Sequence, residues 1–268
     1  MKRSWRTAAA ALGVFAALAA VAFARQDWRS SRGQFVGDRN LEPGQVSYDG
    51  RFVIGRVRFT VGGYGGFGRR GGGMRNPPWS HDYPNAERNF MKILKEITAL
   101  DAYSGPEGGA IVDIGSKELF LHPIVYFCEP GYWTQSDQEA ANLAAYLKKG
   151  GFIIFDDFRG NDWSNFEYQM KRVLPGVRFF ELPVSHPIFH SFFDIGSLQF
   201  QQFYDRGQPY FYGVFEDNDP DKRLMAIVNY NNDVSEYWEW SDTGWEPIDL
   251  TNEAFKFGVN YVIYGMTH

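Results

Sequence analysis

The stretch Lys149–Asp162, KGGFIIFDDFRGND, decides how the chain is read. Two glycines stop whatever precedes it, an unbroken apolar run follows from Phe152 to Phe155, and two aspartates end the run. A short continuous apolar run between such punctuation reads as a strand buried on both faces. Such strands belong to parallel sheets covered by helices, and open sheets of that kind bind ligands at the carboxyl ends of their strands. Asp156 and Asp157 stand at that end. Adjacent carboxylates also raise each other's cost of ionisation, which tunes one of them as an acid or base. The plainer alternative is a capped turn, with one aspartate paired to Arg159.

The flanking sequence agrees with an α/β fold. Upstream, TQSDQEAANLAAYLKKGG reads as a helix with Ser136 as N-cap, Glu139 closing a capping box, and Gly150 and Gly151 as stop. Before it, GAIVDIG and PIVYFCE read as strands. NAERNFMKILKEITAL reads as a helix, with Phe90, Ile93, Leu94 and Ile97 on one face and Asn85 as N-cap. RFVIGRVRFTV (Arg51–Val61) supplies a first strand. Downstream, WSNFEYQMKRVLPG is a helix ending before Pro175, and VRFFEL a further strand. Strands alternating with helices predict a parallel sheet with helices on both faces. Beyond His186 the pattern turns to strand-like pieces and reads as a β-rich C-terminal extension. It closes on an amphipathic helix through Phe255, Val259 and Ile263.

Residues 1–24 carry Lys2, Arg3 and Arg6, an apolar run and a small-x-small end at Ala22–Ala24, the pattern of a cleaved signal peptide. Export to the periplasm or cell envelope is the expectation; an uncleaved segment would give peripheral membrane association instead. Residues 25–50 read as a polar tether and 51–268 as the domain. The single cysteine, Cys128, suits an exported protein without disulfides. The formal charge of −5 becomes −8 without Lys2, Arg3 and Arg6, which disfavours a nucleic-acid partner.

LPVSHPIFHSFF places His186 and His190 four residues apart. With Asp157 they offer a two-histidine, one-carboxylate metal set, although Pro187 biases His186 away from helix. The plainer reading has them hydrogen-bonded to Asp156 or Asp157. The glycine-rich loop 62–73 matches a dinucleotide fingerprint only formally, because RRGGGMRNPP cannot open the helix that would hold a pyrophosphate. Asp217, Asp219 and Asp221 alternate like calcium ligands, but Lys222 stands where such a loop needs glycine, so a hairpin turn is expected. Cys128 has no sequence-near histidine except His122, at the far end of its own strand. No cofactor is expected.

Together YLKKGGFIIFDDFRG, MKRVLPG, LPVSHPIFHSFF and TNEAFKFGVNYVIYGMTH resemble a bacterial family, domain-of-unknown-function family 4159, from about Arg51 to the C-terminus. That family is similar to the class I glutamine amidotransferases, which implies a flavodoxin-like sheet. It is also similar to the trehalose-utilisation-like group, which shares the sheet without the catalytic triad. In the amidotransferases a cysteine occupies a sharp strand-to-helix turn. The turn matched to it here is FIIFDDFRG, and it holds carboxylates, so no glutaminase activity is expected. The expected function is an exported, non-catalytic module binding a small ligand or an envelope protein, with Asp156, Asp157, Arg159, His186 and His190 as site residues. The alternatives are a metal-assisted hydrolase at the same edge and a structural envelope protein docking through its acidic C-terminal face.

Overall fold

The computed structural model describes residues 46–62, 77–199 and 207–268. The expected signal segment, most of the tether and the glycine-rich loop from Gly63 onward lie outside the described residues. Nine strands are present among those described: β1 (Gly55–Arg58), β2 (Thr60–Val61), β3 (Ala110–Asp113), β4 (Ile124–Cys128), β5 (Trp133–Thr134), β6 (Phe152–Phe158), β7 (Phe180–Glu181), β8 (Tyr210–Phe215) and β9 (Leu224–Tyr230). The helices are α1 (Asn85–Ile97), α2 (Asp137–Lys148), α3 (Asp162–Val173), α4 (Val234–Glu239) and α5 (Ile248–Thr267). No described helix is long and apolar enough to cross a membrane.

The main sheet runs β3-β1-β4-β6-β9-β8-β7. Its first five strands are mutually parallel, and β8 pairs antiparallel with both β9 and β7. β2 and β5 form a separate antiparallel ribbon. The expected β-rich C-terminal extension is therefore not an extension. Its run LMAIVNY forms β9, which lies beside β6 inside the parallel sheet and is buried along nearly its whole length. The hairpin β8–β9 hid this, since a tight turn suggests a separate meander while the sheet uses one of its arms as a parallel strand.

Helices cover both faces. Phe90, Met91 and Leu94 of α1, Tyr237 and Trp238 of α4, and Phe257 and Tyr261 of α5 bury one face with Tyr126 and Ile154. Leu143 and Leu147 of α2 and Phe166 and Met170 of α3 bury the other with Phe127, Ile153 and Phe155. The capping box at the start of α2 is formed: Ser136 Oγ accepts from the Glu139 amide at 3.2 Å, and the Ser136 amide donates to Glu139 Oε2 at 2.7 Å. Such a cap stabilises by about 1 kcal/mol. At α1 the expected cap is displaced by one residue: Pro84 holds the cap position without a side-chain bond, and Asn85 is already helical, accepting from Arg88 instead. Gly258 lets α5 approach α4, since a Cβ there would lie 2.4 Å from Trp238 Cζ2.

β6 is irregular at the point the sequence singles out. Phe155 and Phe158 both pack on Phe166, on the same face, although residues three apart in a regular strand face opposite ways. The register against β9 shifts between them, and Asp157 is left-handed with φ 57°. Asp157 is thus the extra residue of a β-bulge, a device that re-aims a side chain. Asp156, in phase with Phe152 and Ile154, accepts from Tyr126 on the α1–α4 side. The bulge brings the Asp157 carboxylate to the same side, 3.7 Å from Cys128 Sγ.

Candidate functional site

Three chain segments meet at the carboxyl edge of the sheet. β4 ends at Cys128, and Glu129 turns the chain with φ 45° into a helical turn at Pro130–Tyr132. β6 contributes Asp156 and Asp157. The loop entering α1 contributes His81 and Asp82, the latter also left-handed with φ 63°. Left-handed backbone at non-glycine residues is costly, and it clusters where a structure holds side chains in set positions. Here Asp82, Glu129 and Asp157 share it.

Each segment is fixed from below. Arg56 of β1, fully buried, donates from Nε to Glu87 Oε1 at 2.5 Å and from Nη1 to the carbonyls of Trp79 (3.3 Å) and His81 (3.0 Å). Its guanidinium lies 4.7 Å over the Tyr126 ring. That ties the His81 loop to β1. Asp156 accepts from the Tyr126 hydroxyl and from the amides of Val234 (2.8 Å) and Ser235 (3.1 Å), which anchors the first turn of α4. Asp233 caps the same helix through the Glu236 amide at 3.1 Å. Ser235 Oγ donates to Asp82 Oδ2 at 2.6 Å, linking α4 to the loop.

Within this frame His81 Nδ1 lies 2.9 Å from Asp157 Oδ2, 3.6 Å from Asp82 Oδ1 and 3.8 Å from Glu129 Oε1. The Asp157 and Asp82 side chains are buried, whereas the His81 side chain is 49% exposed, so the centre opens to solvent on the imidazole side. Donor atoms of His81, Asp82, Cys128 and Asp157 lie within 4.8 Å of one another; so do those of Asp82, Glu236 and Glu239.

The electrostatics follow from burying many acids around one imidazole. The Asp82 charge and the hydrogen bond to Asp157 push the His81 pKa up to about 11. Burial, then the Asp157 charge, pushes Glu129 up to about 8. Burial, then the Asp82 charge, does the same for Glu236 and Glu239. Burial raises Asp156 to about 7 against the pull of Tyr126, and raises the Cys128 thiol well above its ordinary value.

Of the residues expected at the site, Asp156 and Asp157 are there, in different roles. Asp156 holds α4 and Asp157 faces His81. Arg159 belongs to the turn before α3, where its amide donates to Asp162 Oδ2 at 3.3 Å. His186 and His190 do not join the aspartates. The His186 ring packs 5.9 Å from those of Phe215 and Tyr264, and Tyr264 lies against Phe152, the first residue of β6. Asp157 is five residues along that strand, roughly 16 Å away at about 3.3 Å per residue. His190 takes its carboxylate from Asp194 and accepts no role at the sheet edge; its Nε2 pairs with the Val184 carbonyl at 2.7 Å. The structure does not bring these histidines to Asp157: the His186 ring lies by the amino-terminal end of β6, and His190 turns to Val184 and Asp194. The histidine that does meet Asp157 is His81, in WSHDYP. Its signal was positional, because the loop leaving the first parallel strand must also emerge at the carboxyl edge.

These features define a mostly parallel α/β sheet protein whose acid-rich centre lies at the strand ends. The chain belongs to the family described as Domain of unknown function (DUF4159), which matches residues 69–266. No curated protein matches it.

Proposed function

We propose that the protein is an exported, divalent-metal-dependent hydrolase. Its ion is held by His81, Asp82 and Asp157, with Cys128 as a further donor. The observation that carries this reading is the convergence of those four donor atoms within 4.8 Å at the open edge of the sheet. An imidazole, two carboxylates and a thiol suit zinc or another first-row ion. A bound ion of this kind supplies a Lewis acid and an activated water. The half-exposed His81 leaves the substrate side open, and Glu129, at the mouth with a pKa near neutrality, is placed to take up or return a proton.

The order of the parallel strands supports the finer reading of the fold as flavodoxin-like, as in class I glutamine amidotransferases. Taken in chain order the five are arranged second, first, third, fourth, fifth. The site then lies by the crevice between β1 and β4, where the order reverses. Glutaminase chemistry is not supported. The Cys128 thiol is buried beside Asp157, and a raised pKa withholds the thiolate that nucleophilic attack needs.

A second reading, a non-catalytic module binding a polar ligand at the same edge, draws on Glu129, Glu236 and Glu239, which carry protons near neutral pH and can donate them to a ligand. Elemental analysis of the purified chain, with a panel of chromogenic carboxylic and phosphoric esters, separates the two. Hydrolysis is expected with zinc or manganese, lost with chelator and lost in Asp157→Asn. Retained metal without turnover of any ester would favour the binding module, and absence of metal would remove the hydrolase reading.

A further inference from the structure

We infer that Asp82, Glu236 and Glu239 form a second cation subsite, for a hard divalent ion such as magnesium or manganese, joined to the first through the shared Asp82 carboxylate. This rests on the metal-binding reading above and extends it from one ion to a pair.

Asp82 is 95% buried by its 5% exposure, and its two oxygens differ. Oδ2 is held by Ser235 Oγ, while Oδ1 accepts no hydrogen bond and has only the His81 imidazole beside it as an ion-pair partner. A buried carboxylate oxygen that accepts no hydrogen bond is costly, and a cation beside it offsets that cost. Oδ1 faces His81 at 3.6 Å, so it addresses the first ligand group while the same carboxylate belongs to the second. That is the arrangement of a bridging ligand.

The other two ligands are set in advance. Glu236 and Glu239 are three residues apart on α4, so their side chains share a face. The helix is pinned at its start by Asp156 and Asp233 and at its end by Asn89, whose Nδ2 donates to the carbonyls of Trp238 (2.9 Å) and Glu239 (3.2 Å). Trp240 Nε1 donates to Glu236 Oε1 at 3.0 Å, fixing that carboxylate's orientation. Among the described residues no lysine or arginine forms an ion pair with Asp82, Glu236 or Glu239, and Arg56, the buried arginine among them, is taken by Glu87. The chemistry separates the two subsites. Three carboxylates and no nitrogen or sulfur select a hard ion, whereas the imidazole and thiol of the first group favour a softer one. A shared carboxylate would set the ions roughly 3.5–4 Å apart, the spacing of two-metal hydrolytic centres.

Equilibrium dialysis of the full chain against manganese, read by elemental analysis and by electron paramagnetic resonance, tests this. Two ions per chain with a spin-coupled signal are expected, falling to one uncoupled ion in Glu239→Gln. Glu236→Gln, checked for native circular dichroism, serves if Glu239→Gln does not fold. One ion in both wild type and variant overturns the second subsite and leaves the first. Two uncoupled ions overturn the shared carboxylate. No bound ion overturns both subsites.

Discussion

His81 Nδ1 and Asp157 Oδ2 lie 2.9 Å apart across 76 positions of chain, joining the loop before α1 to the bulge of β6. The protonated imidazole is the positive charge around which the surrounding carboxylates are gathered. A metal ion at the same place competes with that proton, since a ligating imidazole must be deprotonated. Binding of zinc at pH 7.5 is therefore expected to release at least one proton per ion, and His81→Ala to release fewer and bind at least tenfold more weakly. Calorimetry in buffers of different ionisation enthalpy measures the release; a binding enthalpy independent of buffer would contradict it.

The metal-free protein should lose stability as pH rises. Glu129, Glu236 and Glu239 are raised from 4.5 to about 8, so between those values the folded chain keeps protons that the unfolded chain has released. His81 acts in the same sense: raised from 6.5 to about 11, it contributes fully below 6.5 and its contribution fades as pH climbs toward 11. The Tm without metal is expected to fall from pH 5 to pH 9, and saturating manganese to flatten or invert that slope. A Tm that rises over this range in chelator would refute the account.

Asp156 is a structural acid in a functional neighbourhood. Asp156→Ala strands the Val234 and Ser235 amides and the Tyr126 hydroxyl, and should cost about 2–4 kcal/mol in denaturant unfolding. Asp156→Asn, which keeps an acceptor, should cost about half as much, and Tyr126→Phe about 1 kcal/mol. Equal losses for the Ala and Asn variants would mean that charge, not acceptance, anchors α4.

Arg56→Met leaves Glu87 buried without its partner and is expected to destabilise by about 3–5 kcal/mol. Adding Glu87→Leu should restore most of that. The double variant still lacks the bonds to the Trp79 and His81 carbonyls, so its metal affinity should stay about tenfold low, the usual scale for a lost supporting contact. Wild-type affinity in the double variant would show that the loop holds His81 without Arg56.

His186→Ala and His190→Ala should leave metal stoichiometry and affinity unchanged, because the His186 ring packs on Phe215 and Tyr264 and His190 is engaged by Val184 and Asp194. Loss of the ion in either variant would place them back at the site.

The strand FIIF, the capping box at Ser136 and the alternation around them were legible because each is a local pattern with a local cause. β9 was misplaced because nothing local tells a hairpin arm from a strand inserted into a parallel sheet. The site was half legible. Two carboxylates after an apolar run announce a strand end, but the histidine that meets them is set by sheet order. The spacing of His186 and His190 resembled a ligand pair, yet His186 caps a short turn that begins at Pro187, its ring accepting from the Ile188 amide at 3.2 Å.

The bulge in β6 makes the centre a matter of chain length as well as composition. Deleting Asp157 would leave Phe158 two positions after Phe155, still on its present face. β6 and β9 could then pair without interruption. Such a chain would exchange an irregular ladder for a continuous one while losing the carboxylate that faces His81. A homologue one residue shorter here is therefore a natural experiment: it keeps the sheet, gains regularity, and is expected to have lost the ion.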